Sequence, residues 1–376
     1  MSRDEIRIVD AGDLPDVSRL VRQCGFPDRT EQGWAWVLFA NPDQGETPPG
    51  WVYLHEGRVL AFVGNFIMPY RFEGQTLRLA TGHTLVTDLH GPRRHAGMKL
   101  MRHAREQPGV AAYLTLNNNK ISAPLLPRIG LEPWLGRSAC RWTEWITNPL
   151  RLMLGKLPGG HPAAERFERP LLLDFESTGR ARAFEIVPLS AAAGADFAAL
   201  TGSGRMTRAV SSDQLQYRVS DPDRTGGIGY RVCLSDGRVM ALAGLSLTKP
   251  APDRLDLVEV IDWMAADGEA GRAAQIALLH DCLRLTRDSR AAKLRLHYPD
   301  AVHPDALKAA GWHLERHCAH IPCHGDLRSP ALRTWCPGPG DTDFFFSLRT
   351  PPTCRSAPAR DGQISGDRPE AFRRTG

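Results

Sequence analysis

The sequence predicts a mixed protein of the α/β type (α+β mixed), in which a mostly antiparallel central sheet flanked by helices is built twice. Three observations predict it. First, apolar residues alternate in some segments and recur at helical spacing in others, in the order strand, helix, three strands, helix, strand. Second, that order returns after residue 180, with matching letters: "LHEGRVLAFVG" at Leu54–Gly64 aligns with "LSDGRVMALAG" at Leu234–Gly244, displacing Gly57 to Gly237 by 180 residues. Gly130 and Gly311, each before a closing apolar segment, are displaced by 181. Two anchors with nearly one offset argue for a duplicated unit of about 150 residues. Third, "LGKLPGGHPAAERFERP" between the two has the Gly, Pro and Ala content of a linker.

In the first unit "IRIVDAGDLPDVSRLVRQCGF" reads as a strand and an amphipathic helix, with Asp13 as cap and Pro15 in the first turn. Turns at Glu56-Gly57 and Glu73-Gly74 cut the stretch from Trp51 to Leu89 into a three-strand meander. A helix follows from about Gly97, then the strand "AAYLTL", a short helix ending in "LLPRIGL", and a closing strand at "ACRWTEWI". In the second unit "AFEIVPL" is a strand, "AAAGADFAAL" a helix and "IGYRVCLSDGRVMALAGLSL" a hairpin. The strand "RLDLVEVIDWMA", the helix "GRAAQIALLHDCLRLTR", the strand "AKLRLHY" and the helix "PDALKAAGW" complete it, with "GDTDFFF" near Asp341 as a closing strand. The division expected is therefore residues 1–150, a linker 151–180, a second domain 181–349 and a disordered Pro-, Arg- and Gly-rich tail 350–376.

Composition narrows the function. A chain of 376 residues with 42% apolar residues buries real cores, and a net charge of +5 that is scattered rather than massed does not argue for nucleic acid. No apolar run approaches the ~20 residues that span a bilayer, and the N-terminus lacks the apolar core of a signal peptide, so a cytoplasmic protein is expected. Eight irregularly spaced cysteines fit reduced thiols better than a disulfide framework. Only "HLERHCAHIPCHGD" gathers zinc-binding residue types, at His317, Cys318, His320, Cys323 and His324. Its alternation reads as a strand, which sends neighbours to opposite faces, and no metal is expected.

The stretch "TDLHGPRRHAGMKLM", Thr87–Met101, places a basic turn between a strand and a helix. The first amides of a helix lack partners and its dipole makes that end partly positive. Glycine lets a backbone approach an anion closely. The turn is thus either a diphosphate site, with Arg94 adding charge-assisted bonds, or a solvated basic turn.

The order of elements around this turn resembles the GNAT (GCN5-related N-acetyltransferase) superfamily. Its cofactor signature is Gln/Arg-x-x-Gly-x-Gly/Ala at the start of the helix after the fourth strand, and here Arg94-His95-Ala96-Gly97-Met98-Lys99 supplies the Arg and the central Gly. Lys99 departs from the usual small residue. Downstream, "NKISAPLLPRIGL" resembles the family's Asn-x-x-Ala-x-x-x-Tyr-x-x-x-Gly-Phe segment, with Asn119 as the Asn, Gly130 as the Gly, and Leu126 in place of the Tyr.

The resemblance implies acetyl-CoA as cosubstrate and direct attack by an acceptor amine on its thioester. It implies that amides around Val86, Thr87, Asp88 and Leu89 polarise the carbonyl and bind the pantetheine arm. Amides of Arg94, His95, Ala96, Gly97, Met98 and Lys99 would hold the diphosphate, with Asn119 on the far wall. Attack needs a base: His83 on the fourth strand is the first candidate and Asp88 the second. A strand histidine with an ordinary hydrogen bond, and an aspartate capping its turn, are the other readings. With Leu126 unable to give a proton, the leaving thiolate needs water, Tyr113 or another donor. Trp34, Trp36 and Phe39 read as an aromatic floor for the acceptor or as packing beneath the sheet.

In the second unit the equivalent turn "DWMAADGEAGRAAQ" lacks the signature, and Asp267 and Glu269 oppose a polyanion. It reads as a degenerate domain that shapes the acceptor groove, with Asp262 and Trp263 facing it. The acceptor is expected to be a small amine or amino sugar, or a protein Lys. A tandem aminoacyl or longer-acyl transferase and a non-catalytic acyl-CoA-binding scaffold are the alternatives.

Overall fold

A computed structural model of the chain describes residues 4–88, 90–93, 95–134, 140–154, 173–181, 184–192, 194–200, 205–224, 227–248 and 257–342. The turns read from the sequence form at its glycines. Glu56-Gly57 and Glu73-Gly74 both adopt positive φ, 50° and 78°, then 48° and 78°, the conformation that closes a two-residue hairpin. They join β2 (Gly50–His55), β3 (Arg58–Phe72) and β4 (Gln75–Thr87), and β1 (Asp4–Ile8) pairs with the outer edge of β2. Beyond β4 come β5 (Ala112–Thr115), β6 (Glu132–Pro133) and β7 (Arg141–Ile146).

The second half repeats the plan. After β8 (Gly179–Ala181), β9 (Phe184–Pro188) and the short β10 (Thr207–Arg208), β11 (Ile228–Ser235) and β12 (Arg238–Thr248) form the hairpin at Asp236-Gly237. Then follow β13 (Leu257–Ala265), β14 (Lys293–His297), β15 (Leu314–His317) and β16 (His324–Gly325).

The strands make two eight-stranded mixed sheets that exchange their closing strands. The first runs β1-β2-β3-β4-β5-β16-β6, with β10 on β3, so its gap beside β5 is filled by a strand from the end of the chain. The second runs β15-β7-β14-β13-β12-β11-β9-β8. The strand "ACRWTEWI", expected to close the first unit, therefore lies in the second sheet, between β14 and β15. Its buried Glu144 explains the preference. Burial raises that carboxyl, but Arg295 and Lys293 outweigh it and hold it below its usual range, with Lys293 Nζ donating at 2.9 Å and Arg295 Nη2 at 2.8 Å.

Four helices on the first half follow from local signals. Leu14, Val17, Leu20 and Val21 form the buried stripe of α1 (Leu14–Gln23). Asp13 does not cap it; Arg7 takes that carboxylate at 2.6 and 2.7 Å. Thr30 caps α2 (Glu31–Phe39), accepting from Gly33 N at 3.0 Å. Next, α3 (Ala96–Arg105) buries Leu100, Met101 and Ala104 against β2–β4, and α4 (Pro149–Leu154) follows β7. In the second half α5 (Ser212–Val219) is capped by Ser211, and α6 (Gly268–Asp288) lies across the second sheet. The expected helix "AAAGADFAAL" is instead two 3-10 turns, Leu189–Ala192 and Ala198–Leu200, around Gly194 at φ 82°. "PDALKAAGW" holds α7 (Pro304–Ala309), and α8 (Pro330–Thr334) follows β16. The expected closing strand begins instead as the 3-10 turn Pro339–Asp341, which holds Gly340 and Asp341, with Thr342 after it; residues 343–346, the tail and most of the linker lie outside the described residues.

One core joins both halves. Trp34 and Phe62 pack with Met206, Tyr217, Ile261, Tyr298, Leu332 and Trp335. Buried polar bonds cross the same boundary: Arg29 pairs with Asp221, Tyr70 donates to Asp341 at 2.9 Å, and Tyr298 donates to the Leu116 carbonyl at 2.7 Å. Trp36 stacks on Tyr217 at 4.5 Å within this core and Phe39 is largely exposed, so these aromatics pack around α2 and do not line the cavity described next.

Candidate active site

The site begins with one extra residue. β4 pairs Val86 with Phe62 and His83 with Gly64, which leaves Thr84 and Leu85 opposite Val63 alone. Thr84 takes φ 51° at this bulge, a costly conformation for a β-branched residue. On its other edge β4 pairs in parallel with β5 from Leu79–Ala112 to Thr81–Leu114 and no further. The strands then diverge. A cavity of about 440 Å³ opens between them, lined on one side by Thr81, Gly82, His83, Thr84 and Leu85, and on the other by Thr115 to Asn119 and Ser122.

The strand exchange supplies the third wall. Cys140, Arg141 and Trp142 at the start of β7, His297 and Tyr298 after β14, and Cys318, His320 and Pro322 after β15 all face the cavity. Sequence reasoning missed these residues because their proximity depends on β7 crossing into the second sheet. His320 bonds the Asn118 carbonyl at 2.8 Å and Asn118 Nδ2 donates to the Pro322 carbonyl at 2.6 Å, which ties this wall to the strand-end of β5.

His83 lies on β4, and it lines the cavity. Its Nδ1 lies 3.0 Å from Thr84 Oγ1. Burial, with the charge of Arg29 adding to it, pushes the imidazole down to about 3, so it is neutral at physiological pH. Asp88 is elsewhere. Its carboxylate accepts from the His90 amide at 3.1 Å and from Arg58 Nη2 at 3.0 Å, which caps the turn after β4 and leaves it off the cavity lining. Val86 is buried in the core and, like Thr87, pairs with β3; the backbone that lines the cavity is one turn of pleat upstream, at residues 81–85.

The basic turn is read differently once its packing is visible. Leu89 and Arg94 lie outside the described residues. His95 stands at the N-cap of α3 with no side-chain bond to the first turn; the Ala96 amide donates to the Arg93 carbonyl at 2.9 Å, and Gly97 and Met98 follow in the first turn. A β-carbon on Gly97 would stand 2.5 Å from Thr87 Oγ1, so this glycine lets α3 pack on β4 rather than leaving room for an anion. Lys99 turns away from that end: its Nζ lies 3.9 Å from Asp4 Oδ2 and 5.5 Å from the Tyr53 ring centroid. Asn119 Oδ1 accepts from the amides of Ile121 and Ser122, both at 2.9 Å, capping the 3-10 turn Ala123–Ile129 at the rim of the cavity. Leu126 is buried with Leu100 and Met101 and does not reach the cavity. Tyr113 is buried beside Gly82, where a β-carbon would stand 1.9 Å from its hydroxyl, and burial pushes that hydroxyl far up.

The second sheet carries a matching opening. β13 has an extra residue at Ile261, pairs Asp262 with Gly244 as β4 pairs His83 with Gly64, and parts from parallel β14 after Val260–Leu296. Asp262 is fully buried; it pairs with Arg208 and accepts from Arg218 Nη1 at 2.8 Å. A cavity of about 330 Å³ there includes Arg208, Asp262, Trp263 and Asp267. Gly271 on α6 packs against Ala266, whose carbonyl oxygen would meet a β-carbon at 1.8 Å.

Comparison places this geometry. No protein-family model and no curated protein sequence matches the chain. Among solved structures, the GCN5-related N-acetyltransferase from Kribbella flavida superposes with a TM-score of 0.51 over 87% of this chain and 72% of that one, at 12% identity. The chain has the GNAT fold. The GCN5-related N-acetyltransferase from Anabaena variabilis ATCC 29413 superposes with a TM-score of 0.52 over 86% of this chain and 72% of that one, at 10% identity. In these terms the splay of β4 from β5 is a feature of this GNAT-fold chain on which a site can be built. Among the described residues no group of three or more His, Cys, Asp or Glu side chains could hold a metal ion, and no helix is long and apolar enough to cross a membrane.

Proposed function

We propose that this protein is an acyl-CoA-dependent N-acyltransferase that moves an acetyl group to a small amine or amino sugar, with the cavity between β4 and β5 as its active site. The bulge at Thr84 carries this reading. It turns backbone that would otherwise pair with β5 toward the cavity, on the strand that leads to α3. That arrangement fits acyl-CoA: the cavity suits a thioester and pantetheine arm, and the first-turn amides of Gly97 and Met98 suit a diphosphate. The cosubstrate supplies the activated acyl group. The chain supplies position and electrostatics.

Backbone at His83 to Leu85 follows the wall where a carbonyl oxygen would gain negative charge, and fixed donors there would stabilise it. His83, neutral and on the same wall, helps position the attacking amine, and the proton that the nitrogen sheds after bond formation goes to water. Asp88 holds the turn that leads to α3. Tyr298 is the phenol among the described lining residues; its hydroxyl donates to the Leu116 carbonyl at 2.7 Å, and exchanging that bond makes it the candidate donor to the leaving thiolate, a role Leu126 cannot fill. The first 150 residues form the acyl-CoA side and the second half the acceptor side, meeting at Trp142, His297 and His320.

The burial of Leu126 favours a second reading, acyl-CoA binding without transfer. Release of free thiol from acetyl-CoA over an amine panel decides between them. Acceptor-dependent thiol release that falls at least tenfold in Tyr298→Phe supports transfer; saturable binding without release supports the second reading.

A further inference from the structure

We infer that Cys140 and Cys318 form a dithiol modification site in the cavity wall, converted to a disulfide by a low-molecular-weight disulfide such as oxidised glutathione. The inference stands on geometry alone and does not depend on the acyl-transfer reading. The last registered pair of β7 and β15 is Arg141 with His317. One residue further on each strand sets Cys140 opposite Cys318, and the Cys318 amide donates to the Cys140 carbonyl at 2.7 Å. Opposed residues of an antiparallel pair share a face, with Cα atoms about 4.5–5.5 Å apart. That separation falls inside the range a disulfide requires. The pair lies just past the end of the ladder, where the Cβ–S–S–Cβ dihedral can adjust without breaking a registered pair.

Access and chemistry agree with this placement. Both cysteines line the cavity and both are partly exposed, so an oxidant entering the cavity meets them. Cys323, nearby in sequence, is buried; its thiol lies 3.0 Å from the Tyr298 hydroxyl and 3.4 Å from the Leu116 carbonyl. Cys233 and Cys282 are buried in the second sheet's core. The Cys140 thiolate attacks one sulfur of oxidised glutathione, breaking its S–S bond and releasing one glutathione thiol. Cys318 then gives up its proton and attacks the Cys140 sulfur of the mixed disulfide, expelling the second glutathione as a thiol. The protein loses two electrons and two protons, and the oxidant gains both. Burial pushes the Cys318 thiol up, with Cys140 beside it adding to the effect, which makes Cys318 a poor leaving group once bonded. The bond ties the wall from Cys318 to Pro322 to the start of β7.

Peptide mapping of the native, full-length protein after incubation with oxidised glutathione tests this. The expected result is a peptide joining Cys140 to Cys318, an intact mass lower by two hydrogens, no retained glutathione on either residue, and full reversal by dithiothreitol. Cys140→Ser is expected to lose the joined peptide, while a Cys24→Ser/Cys336→Ser double variant keeps it. A joined peptide linking either residue to Cys323, stable glutathione adducts on both, or two unmodified thiols at an oxidant level that modifies Cys24 would overturn the inference. The wild-type mapping needs no variant, so a variant that fails to fold leaves the test intact.

Discussion

His83 and Gly64 face each other across β3 and β4 with no room between them: a β-carbon on Gly64 would stand 2.1 Å from His83 Cε1. The imidazole is thus held against backbone on one side and borders the cavity on the other. Gly64→Ala is expected to force the ring toward the cavity and to destabilise the protein by about 1–3 kcal/mol, the usual range for overpacking. Urea unfolding measures the loss, and the accompanying fall in thiol release reads the displaced ring. Unchanged values for both would mean the ring is not wedged.

His83 also makes stability depend on pH. Its folded value lies at about 3, below the unfolded 6.5. The unfolded chain therefore takes up this proton first as pH falls, and stability declines from about pH 6.5 downward, by up to ~1.4 kcal/mol per pH unit from this group. His83→Asn removes that contribution, so its urea midpoint is expected to fall less steeply than wild type between neutral pH and the acid side. The same neutrality predicts no inflection near 6.5 from His83 in the pH–rate profile. An imidazole titrating near 6.5 by NMR would contradict both.

Gly97 serves packing, by the account given above. Gly97→Ala brings a methyl to 2.5 Å from Thr87 Oγ1 and is expected to cost about 1–3 kcal/mol. Thr87→Ala in the same chain removes the clashing oxygen and is expected to restore most of the loss in thermal unfolding. Lys99→Ala, by contrast, breaks only a partly exposed pair with Asp4 and a ring contact, and should shift stability by less than about 1 kcal/mol.

Exchange of β7 and β16 between the sheets couples the two halves. Urea unfolding followed by tryptophan fluorescence and by far-UV circular dichroism is expected to give one coincident transition. Asp262→Ala, which strips two buried arginines of their shared partner, is expected to shift that whole transition by about 3–5 kcal/mol. Two separated transitions would show that the halves are stable alone.

Much of this was legible in the letters. The hairpin glycines and the offset between Gly57 and Gly237 mark both sheets, because a two-residue turn with positive φ has few alternatives to glycine. The destination of β7 was not legible. "RWTEWI" alternates equally well for either sheet, and its choice depends on Lys293 and Arg295, about 150 residues away. The cavity's third wall, from Trp142 to His320, was hidden for the same reason. The helix at Ser212–Val219 had a signal that could have found it: Ser211 with Gln214 three residues on, where the Gln214 amide donates to Ser211 Oγ at 3.2 Å. The packing role of Gly97 was not legible, because a glycine for close packing and one for phosphate approach look alike in sequence.

Calorimetric titration of the wild-type protein with acetyl-CoA, repeated on Ser122→Trp, tests the central claim most directly. Ser122 lines the cavity, and an indole there takes up part of its volume. Saturable one-to-one binding to wild type, weakened at least tenfold in the variant, is expected. Absence of heat with acetyl-CoA and with longer acyl-CoAs, or equal affinity in a folded Ser122→Trp, would contradict it.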